Sequence, residues 1–136
     1  MVENMTRHEM RLTIFCLLFQ NEFYGTEAFE EQKENFLQTR SVTEKEYTEI
    51  NEKVQDLIGH LPQIDEMISA HSKNWKIDRI AKAELAILRL AVYEAKYDES
   101  VPVGVAINEA VELAKEYGED NGAAFVNGVL GQIVNE

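Results

Sequence analysis

Three basic side chains, Arg7, His8 and Arg11, open the first predicted helix, and their types and spacing suit the binding of an anion. Residues four apart lie on the same helix face, so Arg7 and Arg11 share one. The helix dipole disfavours cations in a first turn, whereas a phosphate placed there is bound by terminal amides and cationic side chains together. The alternative is a solvated terminus in which these groups pair with Glu3 or Glu9. Spacing alone leaves both interpretations open.

Phe125 and Arg89 are two further candidates for contacts with a ligand. Phe125 lies near the start of the last predicted helix, where it belongs either to the apolar stripe of the core or to an exposed platform for an unpaired base. Arg89 lies in an apolar run, so it either pairs with a carboxylate or emerges at the edge of a groove. Glu84 and Glu94 are the carboxylates close to it in sequence.

The histidines and acidic residues form no constellation suited to catalysis or metal binding. His8, His60 and His71 are far apart in sequence, and none adjoins an obvious nucleophile. Glu109 and Glu112 lie one turn apart, a spacing that is typical of carboxylates on an amphipathic helix. The sequence also lacks a Gly-rich phosphate loop, an HExxH motif, paired cysteines and an ExxH pair. We therefore expect no enzyme activity, no metal and no cofactor.

The composition is that of a foldable and strongly acidic protein. Its 136 residues include 25 Asp and Glu against 13 Lys and Arg, a formal net charge of -12, and 45% are hydrophobic. This hydrophobic content supports a packed core in a single domain of residues 1–136. The net charge opposes non-specific binding of polyanions, so a nucleic acid would need a local basic patch. The single cysteine, Cys16, and the lack of a signal peptide or membrane-spanning run predict a cytoplasmic protein.

The spacing of apolar residues predicts helices throughout, because alternation with a period of two never persists over the length of a strand. Thr6 with Glu9 and Thr43 with Glu46 have the spacing of capping boxes, so each pair marks a helix start. The predicted helices cover residues 6–25, 26–40, a segment from 43, a segment from 62, 81–96, 102–117 and 121–134, with Gly25 and Gly118 as C-terminal caps.

A break in the helical pattern at Trp75 to Asp78 divides the predicted helices into two groups. The resulting fold class is all-α, a compact bundle of about seven helices in two subdomains. The N-terminal helical half covers about 1–75, and the C-terminal half covers about 76–136.

Five blocks follow one another in the second half of the chain: WKIDRI at 75–80, ILRLAVYE at 87–94, VP at 101–102, AINEAVELAK at 106–115 and FVNGVL at 125–130. Together they resemble the NusB family of transcription antitermination factors. The resemblance implies an all-helical protein in two subdomains that binds boxA RNA together with NusE, a small-subunit ribosomal protein. It also implies assembly with other Nus factors on the RNA polymerase elongation complex, antitermination and support of ribosomal RNA transcription. Some members form homodimers, so a homodimer is a further state that the resemblance implies.

The resemblance also implies an RNA-binding set, which consists of Arg7, His8, Arg11, Phe19, Glu84, Arg89 and Phe125. Arg7 and Arg11 are expected to contact phosphates. Phe19 and Phe125 are expected to stack on unpaired bases, and Glu84 to accept hydrogen bonds from a base edge. Arg89 either belongs to this surface or orients it.

Two alternatives compete with a protein that binds RNA by itself. His8 stands where the family usually has a second basic residue and Glu9 adds an acid, which together with the net charge favours an adaptor with little autonomous RNA binding. A similar helical domain precedes the catalytic domain of some ribosomal RNA cytosine methyltransferases. This sequence ends at Glu136 without a cofactor-binding region, so a free-standing enzyme is not expected.

Overall fold

The computed structural model describes residues 5–40, 42–72 and 76–135. The helices within these ranges are α1 (Arg7–Gln38), α2 (Glu44–Gly59), α3 (Leu61–His71), a short 3-10 helix (Ile77–Arg79), α4 (Lys82–Lys96), α5 (Val103–Tyr117) and α6 (Gly122–Val134). The same ranges contain no strand, which confirms the predicted all-α class. No helix in them is long and apolar enough to span a membrane. Trp75, where the helical pattern breaks, lies outside the described residues.

Both predicted capping boxes are present. The Glu9 N–H donates to the Thr6 hydroxyl at 3.0 Å, and the Thr6 N–H donates back to the Glu9 carboxylate at 3.0 Å. The bond from the Thr6 backbone holds the pKa of the Glu9 carboxyl below its usual range. Thr43 and Glu46 repeat the arrangement at the start of α2, with distances of 3.0 and 3.1 Å. These local signals fix where α1 and α2 begin.

The first two predicted helices are one continuous helix, so the predicted end at Gly25 is wrong. A glycine inside a helix costs only about 1 kcal/mol relative to alanine, and packing further along the chain outweighs that cost. Beyond Gly25, the side chains of Phe29, Lys33 and Leu37 recur at four-residue steps and are all buried. Their burial continues the buried side of α1 through the segment predicted to be a separate helix.

Polar bonds join α1 to α2. Lys33 is fully buried, and its ammonium group donates to the side-chain oxygen of Asn51 and lies 2.9 Å from the carboxylate of Glu30. The amide of Gln55 donates to the same Glu30 carboxylate at 2.9 Å. A buried ammonium group is tolerated only when it is paired in this way.

Contacts divide the chain into Met1–Ile58, called unit 1 here, and Gly59–Glu136, called unit 2. This division precedes α3, whereas the sequence places it near Trp75. The reason is that α3 packs against α4 and α6 and buries Ile64 and Ile68 with them. Unit 2 therefore contains four α-helices, and α4 packs against the other three.

Candidate nucleic-acid interface

Arg7 is an exposed cation at the start of α1 in unit 1. Its side chain is 73% exposed, and its Nη1 lies 4.0 Å from a carboxylate oxygen of Glu49. An exposed ion pair of this kind contributes little to stability. A shallow cleft of about 710 Å³ lies beside it and is lined by Arg7, Glu44, Lys45, Thr48, Glu49 and Glu52. Arg7 is thus available to a ligand, in surroundings that are acidic.

His8 and Arg11 differ in exposure. His8 is exposed, whereas Arg11 is buried, and both side chains interact with other groups of the protein. Phe15 and Leu18, which follow Arg11 at four and seven residues on the same helix face, are buried as well. Arg11 therefore does not present the exposed cation that its spacing from Arg7 suggests, and an RNA contact by Arg11 stays a prediction.

Phe19 is half-buried on α1, one turn beyond Phe15. The two rings stack, with centroids 6.1 Å apart and planes inclined by 23°. This packing fixes the orientation of the Phe19 ring, and part of the ring stays accessible.

A pocket of about 290 Å³ lies in unit 2 beside the start of α6. Its described lining consists of Arg79, Ile80, Ala81, Glu84, Glu119, Asp120, Asn121 and Phe125. Phe125 is half-buried, so its ring is neither a fully enclosed core group nor a fully solvated one. The pocket brings together two predicted site residues, Glu84 and Phe125, that are far apart in sequence.

Glu84 is buried at the third position of α4 and has a structural partner. Its Oε2 accepts a hydrogen bond from the backbone N–H of Glu119 at 3.1 Å. A carboxylate in the first turn of a helix is also stabilised by the helix dipole. Glu84 therefore ties α4 to the loop before α6, and it lines the pocket at the same time.

Gly122 allows the backbone to pass close to the Glu84 carboxylate. A Cβ at position 122 would lie 3.1 Å from Glu84 Cδ and 3.2 Å from its Oε1. The preceding residue, Asn121, has φ 68°, in the left-handed region that asparagine tolerates better than most residues. The sequence predicts position 121 only as the first residue of the last helix and indicates no particular role for Gly122. An Asn-Gly pair before an apolar helix is a turn signal that would have indicated this loop.

We expect Gly122→Ala to destabilise unit 2 by about 1 kcal/mol, because overfilling a packed site forces its neighbours to move. Gly128→Ala is the matched control on the same helix, since nothing lies within 4 Å of a Cβ at that position. That control should stabilise the helix by about 0.5–1 kcal/mol. Urea unfolding followed by circular dichroism measures both changes. Stabilisation by both substitutions would contradict the close approach at Gly122.

Arg89 pairs with a residue that its position in the sequence does not suggest. Its Nε lies 2.9 Å from Asp65 Oδ1, and its Nη2 lies 3.0 Å from Oδ2, a two-pronged pair between α4 and α3. The two side chains are 13% and 29% exposed. Asp65 is 24 residues away, and only the packing of α3 on α4 brings it close. Of the two partners predicted from proximity, Glu84 instead accepts a bond from Glu119.

Among the residues of the described ranges, no cluster of three His, Cys, Asp or Glu side chains is placed to hold a metal ion. The chemistry that these units offer consists of an exposed cation, partly exposed rings and an acceptor within a pocket. Groups of these kinds contact phosphates and unstacked bases in proteins that bind single-stranded nucleic acid.

Comparison with known proteins identifies the family of this chain. The NusB family profile matches residues 8–135. The transcription antitermination protein NusB of Agathobacter rectalis is 46% identical over 127 residues, which is 93% of this chain and 97% of that protein. The structure of T. maritima NusB has a TM-score of 0.90 at 34% identity and covers 98% of this chain and 94% of its own. A chain from the crystal structure of the antitermination factors NusB and NusE in complex with dsRNA has a TM-score of 0.82 at 28% identity. The match covers 96% of this chain and 98% of that one. This chain belongs to the NusB family.

Proposed function

We propose that this chain is a transcription antitermination factor that binds boxA RNA together with NusE and promotes ribosomal RNA transcription. Its similarity to a transcription antitermination protein extends over nearly the whole of both chains. A structural neighbour with the same fold is in complex with NusE and dsRNA. The observation that supports the proposal within this molecule is the pocket whose lining includes both the Phe125 ring and the Glu84 side chain.

In unit 2, the pocket receives one unstacked base. Its volume of about 290 Å³ lies just below the roughly 300–1,000 Å³ typical of small-molecule sites, which suits a single flat ring. Phe125 and Ile80 supply apolar surface for the faces of the base. One Glu84 oxygen is already bonded to the Glu119 amide, so the remaining lone pairs of the carboxylate accept from an amino group on the base edge.

In unit 1, Arg7 and His8 contact phosphates, and the accessible part of the Phe19 ring stacks on a base. Arg7 supports this role best, because its side chain is 73% exposed and its distance to Glu49 is at the limit of an ion pair. Arg11 is buried, so we assign the phosphate contacts of unit 1 to Arg7 and His8.

Replacing Arg7 with glutamine is expected to lower the slope of log affinity for boxA RNA against log salt concentration by about 0.7, the effect of losing one phosphate contact to a single strand. Arg40→Gln is the matched control, because Arg40 is an exposed arginine of unit 1 whose guanidinium lies 4.2 Å from the Phe36 ring centroid. Fluorescence anisotropy at four or more salt concentrations gives both slopes. If the two variants have the same slope, Arg7 does not contact RNA.

The alternative is an adaptor with little RNA affinity of its own, which the net charge of -12 favours. Titration of labelled boxA RNA with this chain, with NusE and with the mixture separates the two functions. Binding by the chain alone supports autonomous recognition. Binding only in the mixture supports the adaptor, in which NusE supplies much of the phosphate contact. Absence of binding in all three titrations would overturn the proposal.

The proposed partners extend to the other Nus factors and the RNA polymerase elongation complex, and the proposed location is the cytoplasm. A homodimer is a further possible state. Sedimentation velocity with and without boxA RNA tests whether a second copy competes with the RNA. The family is one of transcription factors rather than enzymes, which fits a role in binding.

A further inference from the structure

Arg79 has a fixed backbone and an exposed side chain at the edge of the pocket in unit 2. It is the last residue of the 3-10 helix, and its N–H donates to the carbonyl of Lys76 at 2.8 Å. The next residue, Ile80, is buried and donates to the carbonyl of Ile77 at 3.3 Å. The backbone is thus held on both sides of Arg79, while the guanidinium reaches solvent beside the pocket.

The charges around this pocket make Arg79 distinctive. The described lining contains three carboxylates, those of Glu84, Glu119 and Asp120, and one cationic side chain, that of Arg79. Within the part of the chain that the structure describes, Arg79 has no ion pair, unlike Arg89, which is bound to Asp65. An RNA strand that inserts a base here brings a phosphate towards three negative charges. A cation that has no carboxylate partner among the described residues offsets that repulsion.

Arg79 is also the middle of a local basic segment. Lys76, Arg79 and Lys82 are all exposed, and Asp78 is the only acidic residue among positions 76–82. These three residues are drawn from a total of 13 Lys and Arg in a chain with 25 acidic residues. The segment is therefore the kind of basic patch that an acidic protein needs in order to bind a polyanion.

We propose that Arg79, flanked by Lys76 and Lys82, binds the phosphate of the nucleotide whose base enters the pocket. This inference rests on the proposed RNA-binding function and adds to it the group that holds the RNA backbone at this pocket. The planar guanidinium matches the oxygens of a phosphate with two parallel N–H bonds, which a lysine does not reproduce.

The test uses the full-length chain with labelled boxA RNA, in the presence of NusE. Arg79→Gln is expected to weaken binding about ten-fold at low salt and to lower the salt slope by about 0.7. Arg79→Lys should restore the slope, because it keeps the charge, and only part of the affinity. Lys115→Gln is the matched control, since Lys115 is a cation of the same unit that is 61% exposed and lies outside the pocket lining.

The outcomes separate this inference from the function on which it rests. If Phe125→Ala weakens RNA binding while Arg79→Gln matches Lys115→Gln in affinity and slope, the role of Arg79 is wrong and the pocket stands. If the unmodified chain with NusE binds no boxA RNA, both proposals fall. Equal thermal unfolding of the variants shows that neither result reflects a loss of folding.

Discussion

Replacing Phe125 with alanine is expected to weaken binding of boxA RNA by about 5- to 150-fold, which corresponds to the 1–3 kcal/mol that stacking on one base contributes. The ring is half-buried and lines the pocket, so its removal takes away the apolar face that a base would contact. The core of α6 should persist, because Val126, Leu130 and Ile133 are fully buried and continue to anchor the helix.

Phe125→Leu separates stacking from simple packing. Leucine keeps most of the apolar volume and lacks a flat ring, so we expect it to preserve stability and still lose affinity. Tyr117→Ala is a control for removing an exposed aromatic residue of the same unit outside the pocket. Anisotropy titrations and circular dichroism measure affinity and helix content. A folded Phe125→Ala variant with unchanged affinity would show that the ring does not contact RNA.

The second large effect concerns stability. Arg89→Ala is expected to lower the free energy of unfolding by about 2–4 kcal/mol. The reason is that the Asp65 carboxylate, only 29% exposed, loses both of its guanidinium bonds. Breaking a fully buried ion pair costs about 3–5 kcal/mol, and we expect a somewhat smaller loss because this pair is partly exposed. Urea unfolding of the full chain measures the change.

A double-mutant cycle with Asp65→Asn and Arg89→Gln isolates this pair from the other contacts of each residue. We expect a coupling of about 1–3 kcal/mol, because the bonds are two-pronged and poorly solvated. Additive effects would contradict the pairing. The same variants also address the RNA surface: an unchanged salt slope for Arg89→Gln means that Arg89 positions α4 on α3 and leaves phosphates to other residues.

The parts of the fold that could be predicted are those encoded by neighbouring residues. Thr6 with Glu9 and Thr43 with Glu46 fix helix starts through bonds that span three residues, and the spacing of apolar residues predicts α4 to within a residue of its observed bounds. The end assigned at Gly25 failed because a glycine is a weak local signal. The buried side chains of Phe29 and Leu37, whose contacts lie elsewhere in the chain, decide that the helix continues.

In the candidate site, too, the sequence does not indicate contacts between residues that are far apart along the chain. The resemblance drew attention to Glu84 and Phe125, and the structure places both at one pocket. The amide that binds Glu84 lies 35 residues away at Glu119, and the carboxylate that binds Arg89 lies 24 residues away at Asp65. Helical periodicity relates residues three or four positions apart, so it does not indicate partners that are 24 or 35 positions apart in sequence. Only the packing of helices against one another reveals such partners.

The contact between Gly122 and Glu84 has an evolutionary consequence. A side chain at position 122 and a full-length glutamate at position 84 compete for the same space, so the two positions cannot drift independently. In homologous chains, any residue larger than glycine at the first of these positions should appear alongside a shorter residue at the second. Covariation between them would then be the imprint of a steric constraint rather than of selection for a particular transcript.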